Sequence, residues 1–261
     1  MNRFAKCCLI GLALVCFSPH TPAQTPTRET LLQEIQSQTA KLKDLTQEYL
    51  KVSPEEQSLY TEFLTQSNTG IVRLLPREAF NDSQEVLLLN GGGSYYSFTR
   101  RTHEYNEGAD IVLRRGLFSA GIVDDNFGIL ANLGQIPVSQ ITVESPQTKF
   151  LISYQPPENG RDYNFFRPVN GSIFSKGVIS DGRTYNRTVS VEVNSAYLLR
   201  SINYNSNSDI LVAFQVVKKD FDGSILLVWR RLQEFPKPLR IRQRDVDKGL
   251  KSYFVITEKQ P

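Results

Sequence analysis

The sequence predicts a mainly β protein: a single antiparallel β-sandwich or barrel preceded by an N-terminal helical hairpin. From Ile71 onward, short apolar runs alternate with turn clusters at the spacing of about 8–12 residues that sandwiches and barrels show. Within that region Tyr197–Tyr204, Ile210–Val217 and Ile225–Trp229 are rich in β-branched, aromatic and aliphatic residues. Their connections, Asn205-Ser206-Asn207-Ser208-Asp209 and Asp220-Phe221-Asp222-Gly223, hold residues that accept left-handed backbone or bond their own main chain. The three runs therefore read as an antiparallel meander, with Trp229 in its core. Before Gly70 the apolar period is helical instead.

The chain opens with Arg3 and Lys6, an apolar run from Cys7 to Phe17, and Thr21-Pro22-Ala23. This is the pattern of a secretory signal peptide over residues 1–23, cleaved after Ala23. The apolar run is shorter than the roughly 20 residues that span a bilayer, so no transmembrane span is expected in the mature chain. Lipidation at Cys16 is the competing reading, but Val15 is bulkier than the residue such processing prefers. A secreted or periplasmic protein is expected. All three cysteines, Cys7, Cys8 and Cys16, lie in this segment, so the mature chain forms no disulfide. An exported protein of this size without cystines points to a bacterial envelope compartment. Loss of Arg3 and Lys6 lowers the net charge from +3 to +1. A near-neutral chain lacks the clustered cation that nucleic-acid binding requires.

The hairpin is expected over residues 24–70. Thr25 and Pro26 suit the start of a helix. Leu31, Ile35, Gln38, Leu42, Leu45, Tyr49 and Val52 then alternate at spacings of four and three. Such a stripe serves either a coiled coil, making a homo-oligomer through residues 31–52, or packing within the chain. Ser53-Pro54-Glu55-Glu56 forms a capping box and starts a second helix, expected to run to about Gln66. The β domain follows over 71–261. Strands are expected near 71–75, 86–90, 94–103, 109–115, 117–123, 127–132, 140–144, 149–154, 171–179 and 184–194, then the meander. A last strand is expected at Tyr253-Phe254-Val255-Ile256. The basic stretch from Arg230 to Lys251 fits either an anionic partner or a solvated edge.

His103 is the single histidine of the mature chain. With no cysteine and one histidine, thiol chemistry and multi-histidine metal sites are excluded, and no cofactor motif is present. Gly91-Gly92-Gly93-Ser94 lacks the flanking glycine of a nucleophile elbow and reads as a turn. Strand alternation places Tyr95, Arg101 and His103 on one face, with Glu104 or Glu107 at the rim. The loop from Tyr154 to Pro168 interleaves aromatic and polar side chains, so Tyr154, Arg161, Tyr163 and Phe165 are candidate ligand contacts. The expected function is non-enzymatic binding of an envelope component, a glycan or a protein partner. The alternative is a glycan or ester hydrolase built on carboxylates such as Glu104 and Glu107, with His103 assisting.

Overall fold

A computed structural model describes residues 26–78, 93–105, 108–121, 126–156 and 174–237. The signal segment with Cys16 and Ala23, the strands expected at 86–90 and 253–256, Glu107, and the loop residues Arg161, Tyr163 and Phe165 lie outside the described residues. The chain divides into two compact units, residues 1–40 and 41–261.

Helix α1 spans Arg28–Leu50 and begins two residues later than Thr25-Pro26 suggests, because Thr27 Oγ1 accepts the Thr30 N–H at 3.2 Å and so caps the first turn. Its heptad stripe is largely uncovered: Leu31, Ile35, Leu45 and Tyr49 are exposed. The face buried in the last turns presents Thr46 and Leu50, four residues apart. The predicted capping box is formed. Ser53 Oγ accepts the Glu56 N–H and Glu56 Oε2 accepts the Ser53 N–H, each at 3.1 Å. The helix it starts is shorter than expected, α2 covering Pro54–Ser58 and α3 covering Thr61–Leu64. Ser58 Oγ bonds the Glu55 carbonyl and Thr61 Oγ1 the Ser58 carbonyl, offering the backbone a local alternative to helix. The break lets Tyr60 and Phe63 pack inward and leaves Leu59 in solvent.

The architecture is mainly β with antiparallel pairing throughout. Strands β1 (Thr69–Leu74), β5 (Asn126–Gly134), β9 (Ala196–Asn203), β10 (Ser208–Lys219) and β11 (Ile225–Glu234) form a large sheet in the order β1-β11-β10-β9-β5. The meander is thus its centre, with Phe214 opposite both Tyr197 and Trp229. A smaller sheet orders β2 (Tyr95–Tyr96), β3 (Ile111–Arg114), β4 (Leu117–Ser119) and β8 (Thr188–Ser190) as β2-β3-β4-β8. The pair β6 (Val178–Ser180) and β7 (Arg183–Tyr185) stands alone. The described strands close no barrel.

Other expectations are corrected. The strand expected over 94–103 ends at Tyr96, because the chain doubles back and Ser97 pairs with Thr102. Residues 140–144 form no strand and instead link 3-10 turns at Val138–Gln140 and Pro146–Thr148, where Thr148 Oγ1 bonds the carbonyls of Val143 and Ser145. The apolar run at 149–154 is helix α4 (Lys149–Ser153), a run too short for its period to separate helix from strand.

Alternation sorts the large sheet into two buried faces. Val72, Leu199, Val212, Phe214, Leu227 and Trp229 share an apolar cluster with Tyr96, Ile111, Leu113 and Phe118 of the smaller sheet. Trp229 is 1% exposed, and its indole lies across Gly70, where a Cβ would come within 2.5 Å of the ring. The opposite face carries Ile129, Leu198, Leu211, Ala213 and Val228, covered by Val138, Ile141, Leu151 and Phe174 together with Tyr60 and Phe63.

Two charge networks tie these layers together. Arg200, 2% exposed, binds Asp209 through Nε and Nη2 at 2.8 and 2.9 Å, while its Nη1 donates to the carbonyls of Leu151 and Tyr154 at the end of α4. At the sheet edge Glu56 accepts two bonds from Arg73 Nη2 at 2.6 and 2.7 Å, and one from Lys218 Nζ at 2.9 Å. Asp220 pairs with the same two cations. Burial acts to raise the Glu56 carboxyl, but the bonds from Arg73, Lys218 and the Ser53 backbone outweigh it and bring its pKa from 4.5 down to about 2.

Two outcomes follow from these networks. Asp209→Ala strands the Arg200 charge and is expected to cost about 3–5 kcal/mol in urea denaturation, with Arg200→Met on the same background recovering most of it. Because the folded Glu56 pKa is depressed, its contribution is complete above 4.5 and is lost as pH falls toward about 2. Glu56→Gln is therefore expected to be less stable than the parent by about 1–2 kcal/mol near neutrality, after allowance for solvent screening. That gap should close on acidification in paired denaturation series.

Candidate functional site

The doubled-back turn after β2 builds the site. Asp110, 2% exposed, sits just before β3 and accepts from the Phe98 N–H at 2.7 Å, the Thr99 N–H and Ser97 Oγ at 3.3 Å, and Ser201 Oγ of β9 at 2.6 Å. Burial raises its carboxyl pKa against these hydrogen bonds. A carboxylate holding the main chain from one side and the large sheet from the other fixes where residues 97–105 emerge. They emerge beside the last turns of α1. Gly93, at φ 77°, makes the approach possible, since a Cβ there would overlap the Leu50 side chain.

Between them lies a cleft of about 290 Å³, lined by Lys43 and Gln47 of α1, by Lys51 just after it, and by Tyr95, Thr102, His103, Glu104 and Tyr105. Tyr95, His103 and Glu104, candidates from the sequence, are thus brought together. Tyr95 and Tyr105 meet edge to face with ring centroids 5.0 Å apart. Glu104 pairs with Arg100 through Oε1, while its buried Oε2 has no hydrogen-bond partner among the described residues. Gly108 makes room for this carboxylate, because a Cβ at that position would overlap it.

His103 is anchored rather than free. Its Nε2 lies 2.8 Å from the Arg73 carbonyl, so that nitrogen carries the proton, and its ring meets Tyr96 edge-on at 5.6 Å. Burial lowers its pKa despite that bond, which favours the neutral imidazole. Among the described residues the hydrogen bonds of its ring include none to Glu104 or to a hydroxyl. Ser94, the serine of the glycine-rich turn, is 0% exposed.

The other candidates lie elsewhere. Arg101, at φ 56°, turns away from Tyr95 and His103 and sets its guanidinium 5.6 Å from the Trp229 ring. The alternation that placed it beside them fails because the strand ends at Tyr96. Tyr154 stacks on Phe127 at 5.6 Å and meets Phe174 at 5.8 Å in the second apolar cluster. Sequence reasoning missed Lys43, Gln47, Lys51 and Tyr105. The lysines sit off the heptad stripe of α1, and only the fold brings them to Tyr95.

Fold and cleft together define an antiparallel β protein with a mixed polar and aromatic recess at the margin of its smaller sheet. No family model, no curated protein and no solved structure matches this chain. Among the described residues no helix is long and apolar enough to cross a membrane.

The His103 anchor yields a third prediction. His103→Ala loses the bond to the Arg73 carbonyl and the contact with Tyr96, and is expected to cost about 1–2 kcal/mol where an exposed strand end would cost almost nothing. A depressed folded pKa means this contribution is complete above 6.5 and is lost as pH falls through the lower folded value. Denaturation of parent and variant from neutral to mildly acid pH should show the two converging.

Proposed function

We propose that the protein is an exported, non-enzymatic binding protein that takes a glycan of the cell envelope in the cleft beside α1. The observation that carries this reading is the exposed Tyr105 ring, backed edge to face by the buried Tyr95, beside polar groups on a recess of about 290 Å³. Aromatic faces take the apolar side of a sugar ring, and a few placed donors and acceptors fix its hydroxyls. Lys43, Lys51 and Gln47 supply donors, and Glu104 Oε2 is an acceptor in need of one. For the hydrolase alternative, His103 would need a partner to activate, whereas its Nε2 is spent on a main-chain carbonyl.

The β-sandwich is part of the same proposal, supported by the apolar cluster that residues of both sheets share. The short connection Lys51-Val52-Ser53 between α1 and α2 supports a helical hairpin.

Titration of the mature protein with oligosaccharides containing N-acetylglucosamine tests the reading. Tyr105 is 39% exposed, so Tyr105→Ala is expected to weaken binding about tenfold or more while leaving the thermal midpoint nearly unchanged. Saccharide binding that is untouched by Tyr105→Ala, or saccharide cleavage by the purified protein, would overturn it.

A further inference from the structure

The outward face of the smaller sheet carries a second recess of about 320 Å³, distinct in chemistry from the first. Pairing of Tyr95 with Val112, and of Val112 with Ser119, places these three on one face, opposite to the apolar cluster filled by Tyr96, Ile111, Leu113 and Phe118. Around them stand Arg77, Arg114 and Arg187, with Thr188 beside Ser119.

We infer that this recess binds a small organic oxyanion, a phosphate monoester or a carboxylate on a sugar-sized body. Three guanidinium groups line one concavity. The single carboxylate paired with them among the described residues is Glu78, at a loose 4.0 Å from Arg114 Nε. Cations gathered in a cleft with low-dielectric walls focus a positive potential there. The groups are also held in place. Arg77 lies over the Tyr95 ring at 5.7 Å, and Arg187 Nη2 donates to the Gly121 carbonyl. Both side chains are half-buried, so little freedom is lost on binding. A planar fork of N–H groups matches two oxygens of a phosphate or carboxylate at once, and the Ser119 and Thr188 hydroxyls add donors suited to either. The volume is at the lower end for ligand sites, which fits a sugar phosphate or a uronic acid better than a polymer.

The test uses the full mature protein titrated with glucose 6-phosphate, glucuronate and uncharged glucose at low ionic strength. Binding of at least one anionic probe, weakened by added salt and at least tenfold tighter than glucose, is expected. Preference for glucose 6-phosphate identifies a phosphate site and preference for glucuronate a carboxylate site. Arg77→Gln and Arg114→Gln are each expected to weaken the preferred anion about fivefold or more with little change in thermal midpoint, and the double variant to abolish it. These variants leave Tyr105, Glu104 and His103 intact, so saccharide binding at the first cleft is scored separately. Equal affinity for glucose and both anions, no anion binding at millimolar concentration, or anion binding indifferent to both substitutions would each overturn the assignment.

Discussion

The large sheet has no solvent face along its centre, and the rest of the structure answers to that. Every residue of β9 is buried, as are the first seven of β10. An antiparallel sheet usually leaves one face to water. Here the smaller sheet covers one side, while 3-10 turns, α4 and the inward side chains of Tyr60 and Phe63 cover the other. A polar residue placed in such strands has no water to fall back on and must find its partner within the protein.

That requirement explains the internal ties. Arg200 and Asp209 lie on adjacent central strands, so each supplies the other's counter-charge, and the remaining Arg200 donor reaches the carbonyls of Leu151 and Tyr154 at the end of α4. Ser201, one residue on and on the opposite face, reaches Asp110 and through it the turn at 97–102. One strand therefore holds the helical layer on one side and the site-bearing turn on the other. The Glu56 network does the same work at the sheet edge, joining α2 to β1 and β10.

The smaller sheet gives one face to the shared core, while the other buries Tyr95 and Val112 with Ala109 and exposes Arg114, Leu117 and Thr188. Tyr95 stands between the two recesses and lines both. On one side it meets Tyr105 in the recess that Lys43, Lys51 and Glu104 also line. On the other it supports Arg77 in a basic concavity. The same ring thus borders one recess lined by Lys43, Lys51 and Glu104 and another lined by Arg77, Arg114 and Arg187.

Much of this was legible in residue order. The meander, the capping box at Ser53, the β1 strand and the burial of Trp229 follow from local pattern and short connections, because hairpin pairing and capping depend on neighbours in sequence. The helical nature of 149–153 and the early end of β2 were not legible. A short apolar run has no decisive period, and the turn at Ser97 is imposed by Asp110 from twelve or more residues away. Tyr95, His103 and Glu104 could be grouped from sequence because they are close along the chain, but the grouping of Arg101 with them failed with the strand that justified it. By itself the sequence determined that the chain is β-rich, which residues of the meander fill its core, and that a capping box at Ser53 starts α2. Only the tertiary structure decided which α1 face is covered, that His103 is spent on a main-chain carbonyl, and that Arg77, Arg114 and Arg187 share a recess. These outcomes depend on contacts between segments far apart in the chain, and no local spacing records them.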